Sequence, residues 1–356
     1  MLVAPDGKPR AVAAAVLQHA ASLHGEPTSA TQPPGGVLVK EFKQEQIETS
    51  TRPCTDLGEL ADEIRAGRAR ADFSARHAGA RIAALATAPG AVRSTVIRNH
   101  RARMIDEQFG QVAHESLTCG CHVHVGVPDD DDRVRVVDHL RAWAPILLAL
   151  SANSPFWQGA DTGYASFRSQ VWGRWPTSGV TAPFGDATTY WRVVADLVSS
   201  GTILDEGMIY FNARLSPHYP TVEVRVADVC LDADDAVLQA ALVRALTETA
   251  LADTYADQTP RTEQLRVAYW RAARSGIRGD LLSPTTGRPL PAAGAVGELL
   301  AHVTPTLERL GDLAWVRAQL RTVLARGTGA DQQRAWRAHG ADAERMALAA
   351  VERTVA

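Results

Sequence analysis

Cysteine is scarce in this chain. Four cysteines among 356 residues cannot build the disulfide framework that substitutes for a core in small secreted domains. With no leader pattern visible, a cytoplasmic, reducing location is the default expectation. Long apolar runs are missing too. A membrane-spanning helix needs roughly 18–20 consecutive apolar residues, and the longest stretch, Ala144–Ala152, is far shorter and contains Pro145. Neither sign of charge dominates: a net charge of −3 leaves no electrostatic footprint for nucleic acid or an anionic membrane surface. No internal repeat and no low-complexity linker appears. The expectation is therefore one domain over residues 1–356, with 292–356 a mostly helical C-terminal part broken at Gly327/Gly329 and Gly340.

What is present centres on Thr118-Cys119-Gly120-Cys121-His122-Val123-His124-Val125-Gly126-Val127. β-branched residues bounded by glycines predict a strand. Side chains on a strand alternate faces, so Cys119, Cys121, Val123 and Val125 share one face and His122 and His124 the other. Two imidazoles beside glycines suit a metal or phosphate site on an open sheet face. They equally suit ordinary hydrogen-bonded strand residues. Cys-x-Cys-His-x-His also holds four soft ligands, but alternation turns the thiols away from the imidazoles and argues against a zinc knuckle.

Two further stretches place polar groups on strands. Val37–Phe42 starts a strand, and Gln44–Thr51 continues it or pairs with it. Glu41 and Glu48 are an odd number of residues apart, so on one unbroken strand they would face opposite ways. They converge only if a turn or bulge intervenes near Lys43. Thr221–Asp228 is the second strong strand, with Val222, Val224 and Val226 on its core face and Thr221, Glu223 and Arg225 on the other. An acid and a guanidinium side by side are either a surface ion pair or part of a metal–phosphate site.

The remaining segments divide into helices and loops. Helical patterns cover Ala11–His24, Thr55–Ala86 after a Thr55/Asp56 cap, Arg98–Gly110 and Asp232–Asp253. Gln32–Gly36 is a loop. Asp129–Asp132 reads as a helix start, where carboxylates favour the free N–H groups, rather than as a metal site. Ser151–Gly179 is irregular and rich in Gly, Pro, Trp and Arg. There Arg168 and Arg174 are candidates to clamp a carboxylate or phosphate, or the loop is simply packed by its own tryptophans. Antiparallel strands with segregated helices define an α+β class.

Taken together, Cys119–Val127, Leu150–Gly159, Asp161–Tyr164, Arg174-Trp175-Pro176 and Pro220–Asp228 resemble the type 2 glutamate–cysteine ligases, carboxylate–amine ligases of the glutamine synthetase superfamily. The resemblance covers nearly the whole chain. It implies a curved, mainly antiparallel sheet, with helices on its outer face, whose concave face holds ATP and Mg2+. It also implies a two-step reaction: ATP phosphorylates an amino-acid carboxylate, and an amine displaces the phosphate to form an amide. By position it implies metal-binding roles for Glu41, Glu48, His122 and Glu223. Glu223 and Arg225 would be catalytic, Arg225 and His124 would face the nucleotide, and Tyr164, Arg168 and Arg174 are the substrate-binding candidates.

One departure from the pattern bears on activity. Relatives of this type open with a strand reading roughly Gly-Val-Glu-Glu-Glu-Phe, ahead of the segment matching Leu2–Gly7, and its glutamates supply metal ligands. The expectation is either an upstream start or a weakened site. The competing readings are a catalytically impaired relative that binds a ligand or partner, and a zinc hydrolase using His122, His124 and a glutamate. An uncovered sheet edge would favour a homo-oligomer.

Overall fold

The computed structural model describes residues 1–24, 35–252 and 260–356. The expected loop at Gln32-Pro33-Pro34 and the expected helix end at Asp253 lie outside the described residues. The fold is α+β, and every pair of named strands is antiparallel. The central sheet has three strands in the order Gly120–Gly126, Thr221–Asp228, Ala213–Leu215. The other strands form short two-stranded ribbons.

Alternation explains which face is covered. Val222, Val224 and Val226 are buried against the helix Asp130–Ser151, while Ala233–Ala252 packs on the neighbouring strand Gly120–Gly126. Glu223 and Arg225 consequently face the other way. The acidic run behaves as expected: Asp129 caps the helix by accepting from the Asp132 N–H at 3.0 Å. Its apolar side, including Val137, Leu140, Leu147 and Leu150, is buried in the core.

The ribbon Leu38–Lys40/Ile47–Thr49 sets Val39 opposite Glu48. The intervening residues do not close a tight hairpin. They bend aside, with the Gln44 N–H donating to Thr95 O at 2.8 Å and the Ile97 N–H to Phe42 O at 3.1 Å. This is the turn near Lys43 that the odd spacing of Glu41 and Glu48 required. The helix expected over Thr55–Ala86 is shorter, Leu57–His77. Gly79 at φ +67° lets the chain reverse, and Arg81–Ile82 then pairs with Leu2–Val3. The C-terminal part forms Ala292–Leu310, Leu313–Arg326, Gly329–Ala338 and Ala343–Val355, broken at Gly327 and Gly340 as expected and also at Gly311.

The loop after Ser151 is organised by a buried polar hub. Asp228, 0% exposed, accepts from the Asn153 N–H at 2.8 Å, Ser154 Oγ at 2.7 Å and Ser166 Oγ at 2.9 Å. Asn153 Nδ2 donates to Ala84 O and Val229 O, and its Oδ1 accepts from Gln333 Nε2 at 2.7 Å. Buried polar groups are costly unless bonded, and here Asn153 is bonded to three remote parts of the chain.

Buried His139, paired with the half-buried His302, is expected to make stability depend on pH. His139 Nε2 and His302 Nε2 lie 3.0 Å apart, and the His302 ring stacks on Trp143 at 4.4 Å. Burial, then the neighbouring His302, holds His139 down at about 4. The unfolded chain takes up this proton first, so the contribution is present above about pH 6.5 and is lost as pH falls towards 4. Between pH 7 and 4.5 the wild type is expected to lose roughly 2 kcal/mol more unfolding free energy than His139→Gln. Urea melts at the two pH values check this, and equal losses would rule the pair out as the cause.

Candidate active site

The polar face of the central sheet and the neighbouring ribbon bring Glu41, Glu48, His122, Glu223 and Arg225 together. A register shift between Cys121 and Val123 sets the single residue His122 against two on the partner strand, Arg225 and Val226, so the bulge lies on Thr221–Asp228 at Arg225, beside the His122 ring. His122 Nδ1 lies 3.7 Å from Glu223 Oε1, 3.9 Å from Glu48 Oε1 and 3.5 Å from Arg225 Nη1. Arg225 Nη1 donates to Glu223 Oε1. The other Glu223 oxygen, Oε2, accepts from Arg214 Nε at 2.7 Å. The Arg225 guanidinium sits 5.8 Å from the centre of the Tyr210 ring. Tyr210 in turn packs on Trp172 at 4.7 Å and Trp175 at 5.7 Å.

The electrostatics sort these groups into different states. Burial would push Glu223 up, but the Arg225 and Arg214 guanidiniums overcome it and hold the carboxyl at about 2, ionised. Burial, followed by the charge of Arg225, holds His122 well below its ordinary value, so its ring is neutral. Burial and then the adjacent Glu41 carboxylate, which also shares a hydrogen bond with it, push Glu48 up to about 8. Water at the 42%-exposed Glu48 side chain screens part of that repulsion. Two crowded carboxylates beside a neutral imidazole are a donor set that a cation would relieve.

These residues fit a divalent cation in chemistry but are not gathered as a closed cage. Among the described residues, no three His, Cys, Asp or Glu side chains converge closely enough to hold a metal ion as they stand. Glu41, Glu48 and His122 carry the available donor atoms. Each Glu223 oxygen already accepts from a guanidinium, Oε1 from Arg225 and Oε2 from Arg214, so Glu223 is the most committed of the four expected metal ligands. His124 is exposed on the same strand, and its Nδ1 is 2.9 Å from Thr221 Oγ1. The cysteines lie apart from the imidazoles, Cys121 against Cys230 and Cys119 Sγ accepting from Gln46 Nε2 at 3.3 Å.

The three substrate-clamp candidates are placed differently from expectation. Arg168 is 4% exposed, and its Nη1 lies 3.6 Å from Asp228 Oδ1. It donates to Val226 O and Arg225 O at 3.3 Å each. It braces the central strand from within, because an internal carboxylate claims it. Arg174 pairs with Glu115. The Tyr164 hydroxyl accepts from Trp270 Nε1 at 3.1 Å, with Arg274 over its ring. Arg214 escaped the sequence reading. The only signal for it was its place on the short segment leading into Thr221–Asp228.

The fold is shared with a solved structure. A solved glutamate–cysteine ligase from Francisella tularensis, in complex with AMP, superposes with a TM-score of 0.67 over 100% of this chain and 86% of that one, at 13% identity. The family follows from sequence: the model of glutamate–cysteine ligase family 2 matches residues 6–353, and the chain belongs to that family. A Paenarthrobacter aurescens protein named "Putative glutamate--cysteine ligase 2-1" is 48% identical over 332 residues, covering 92% of this chain and 86% of its own. A Streptomyces coelicolor protein named "Putative glutamate--cysteine ligase 2" is 46% identical over 360 residues, covering 100% and 97%. Among the described residues no helix is long and apolar enough to cross a membrane.

Proposed function

We propose that this protein is an ATP-dependent carboxylate–amine ligase that joins the γ-carboxyl of glutamate to the amine of cysteine. The observation that carries the reading is the meeting of the central sheet's polar face with the neighbouring ribbon, which gathers two crowded carboxylates, a neutral imidazole and an anchored arginine. The names of the relatives and the AMP in the Francisella structure support it. In the first step a carboxylate oxygen of the acid attacks the terminal phosphorus of ATP and ADP leaves. In the second the amine nitrogen attacks the acyl carbon, phosphate leaves, and the nitrogen gives up a proton. Arg225, held by Glu223 and braced on Tyr210, is placed to offset charge on the transferred phosphoryl group. Glu41, Glu48 and His122 would hold Mg2+, whose charge neutralises the nucleotide phosphates when bound.

The direct test is phosphate release from MgATP across a panel of acids and amines. Release only when glutamate and an amine are both present is the expected result, with cysteine the best amine. No release with any pair would overturn the reading. MgATP binding without turnover would then point to a ligand-binding relative.

The crowding at Glu48 gives a second outcome. Its folded pKa is raised above the unfolded value, so without metal the stability it contributes is full below about pH 4.5. That stability fades as pH rises through about 8. A cation needs the ionised form. At pH 7, Mg2+ binding is therefore expected to release a proton, and Glu48→Gln to abolish the release. Calorimetry in buffers of different ionisation enthalpy measures this; identical heats in all buffers would show that Glu48 carries no proton for the cation to displace.

A further inference from the structure

Arg214 stands on Ala213–Leu215 directly opposite Glu223 in the sheet register. Its Nε donates to Glu223 Oε2 at 2.7 Å, and its Nη1 donates to Ile209 O at 2.7 Å and reaches Glu206 O at 3.4 Å. The side chain is only 10% exposed. The guanidinium is therefore seated on the short turn Glu206–Met208 and the residue after it. That turn is itself braced, because Asp205 accepts both arms of Arg101 at 2.8 and 2.9 Å.

Resting on the ligase reading above, we infer that Arg214 is a positioning residue that selects the working oxygen of Glu223. It engages Oε2 and leaves Oε1 turned towards Arg225 and His122. A carboxylate on its terminal torsion has a broad, nearly two-fold preference, so nothing intrinsic to Glu223 sets this orientation. Without Arg214, both oxygens are free to take the Arg225 fork, and that fork moves away from the phosphoryl group it serves. Lysine cannot substitute. A single ammonium lacks the planar fork that meets a carboxylate and two carbonyls at once.

The test uses the full chain with Arg214→Lys, Arg214→Gln and Arg214→Ala. Misplacement by about 1 Å typically costs about 10²-fold in rate. That loss is expected in kcat for all three, with KM for ATP within about threefold, because Arg214 acts on the reacting centre rather than on nucleotide binding. Guanidinium added to Arg214→Ala is expected to restore kcat at least tenfold, a response that loss of folded protein would not give. A crystal structure of Arg214→Gln is expected to show the Glu223 carboxylate rotated and Arg225 displaced. Wild-type kcat in Arg214→Lys, no rescue by guanidinium, or an unmoved Glu223 would each overturn the inference. If instead the wild type releases no phosphate, the ligase reading has failed, and the orientation of Glu223 in the Arg214→Gln crystal still decides the role of Arg214.

Discussion

Arg225→Lys is expected to lower kcat by about 10³-fold, and Arg225→Gln by still more, with the fold retained. An arginine that meets a transferring phosphoryl group is worth about 10³–10⁵ in rate, and 10³ corresponds to about 4 kcal/mol of transition-state stabilisation. The surroundings of Arg225 fit that use. Glu223 fixes one side of the fork and Tyr210 lies beneath it. His122 adds no competing positive charge, because burial and Arg225 itself keep the ring neutral. Among the described residues Arg225 Nε is buried and has no hydrogen-bond partner, so part of its donor capacity is uncommitted. Lysine keeps the charge and loses the fork. Steady-state kinetics alongside a thermal melt test this. A kcat within threefold of wild type in a folded Arg225→Lys would show that Arg225 does not meet the phosphoryl group.

The largest effect on stability is expected at Asp228. Asp228→Ala removes a fully buried carboxylate and strands three donors, Asn153 N, Ser154 Oγ and Ser166 Oγ, together with the buried cation of Arg168. Breaking one partner of a buried ionic network typically costs about 3–5 kcal/mol. Asp228→Asn keeps one carbonyl acceptor and is expected to cost less, about 1–3 kcal/mol, the penalty of groups left unsatisfied. Denaturant unfolding of both variants checks the order. If Asp228→Ala were as stable as wild type, the hub would contribute nothing to the fold.

Much of the frame was legible before folding was considered. Period-two alternation placed Val222, Val224 and Val226 inward and Glu223 and Arg225 outward. The odd spacing of Glu41 and Glu48 demanded a turn, and Lys43 marks it. Asp129 and Asp56 announced helix starts and serve as caps. The misreadings share one physical origin. Arg168 looked like a free clamp in a loop because its partner Asp228 is remote in sequence, and only the closed structure shows that an internal carboxylate claims it. Arg214 was passed over because a three-residue strand carries too little alternation to stand out. Its meaning comes from the residue across the sheet. The helix end at His77 was overrun because alanine-rich sequence continues the pattern past Gly79.

The reach of Asn153 sets an order on how the protein matures as it leaves the ribosome. The strands Gly120–Gly126 and Thr221–Asp228 can pair once the second has emerged, although closing a loop of that length is slow. The loop carrying Asn153 then has Asp228 to hold it, but its amide oxygen still lacks the partner that Gln333 supplies. The helix Leu57–His77 is held first through Arg68, which donates to Cys230 O and Leu231 O at 2.6 and 2.7 Å, whereas the Ala84 N–H after it waits later still for Thr354 Oγ1. A nascent chain halted short of its last two helices would therefore carry a paired central sheet with an unlocked rear surface. Such a half-built species is one that chaperones and proteases would find first.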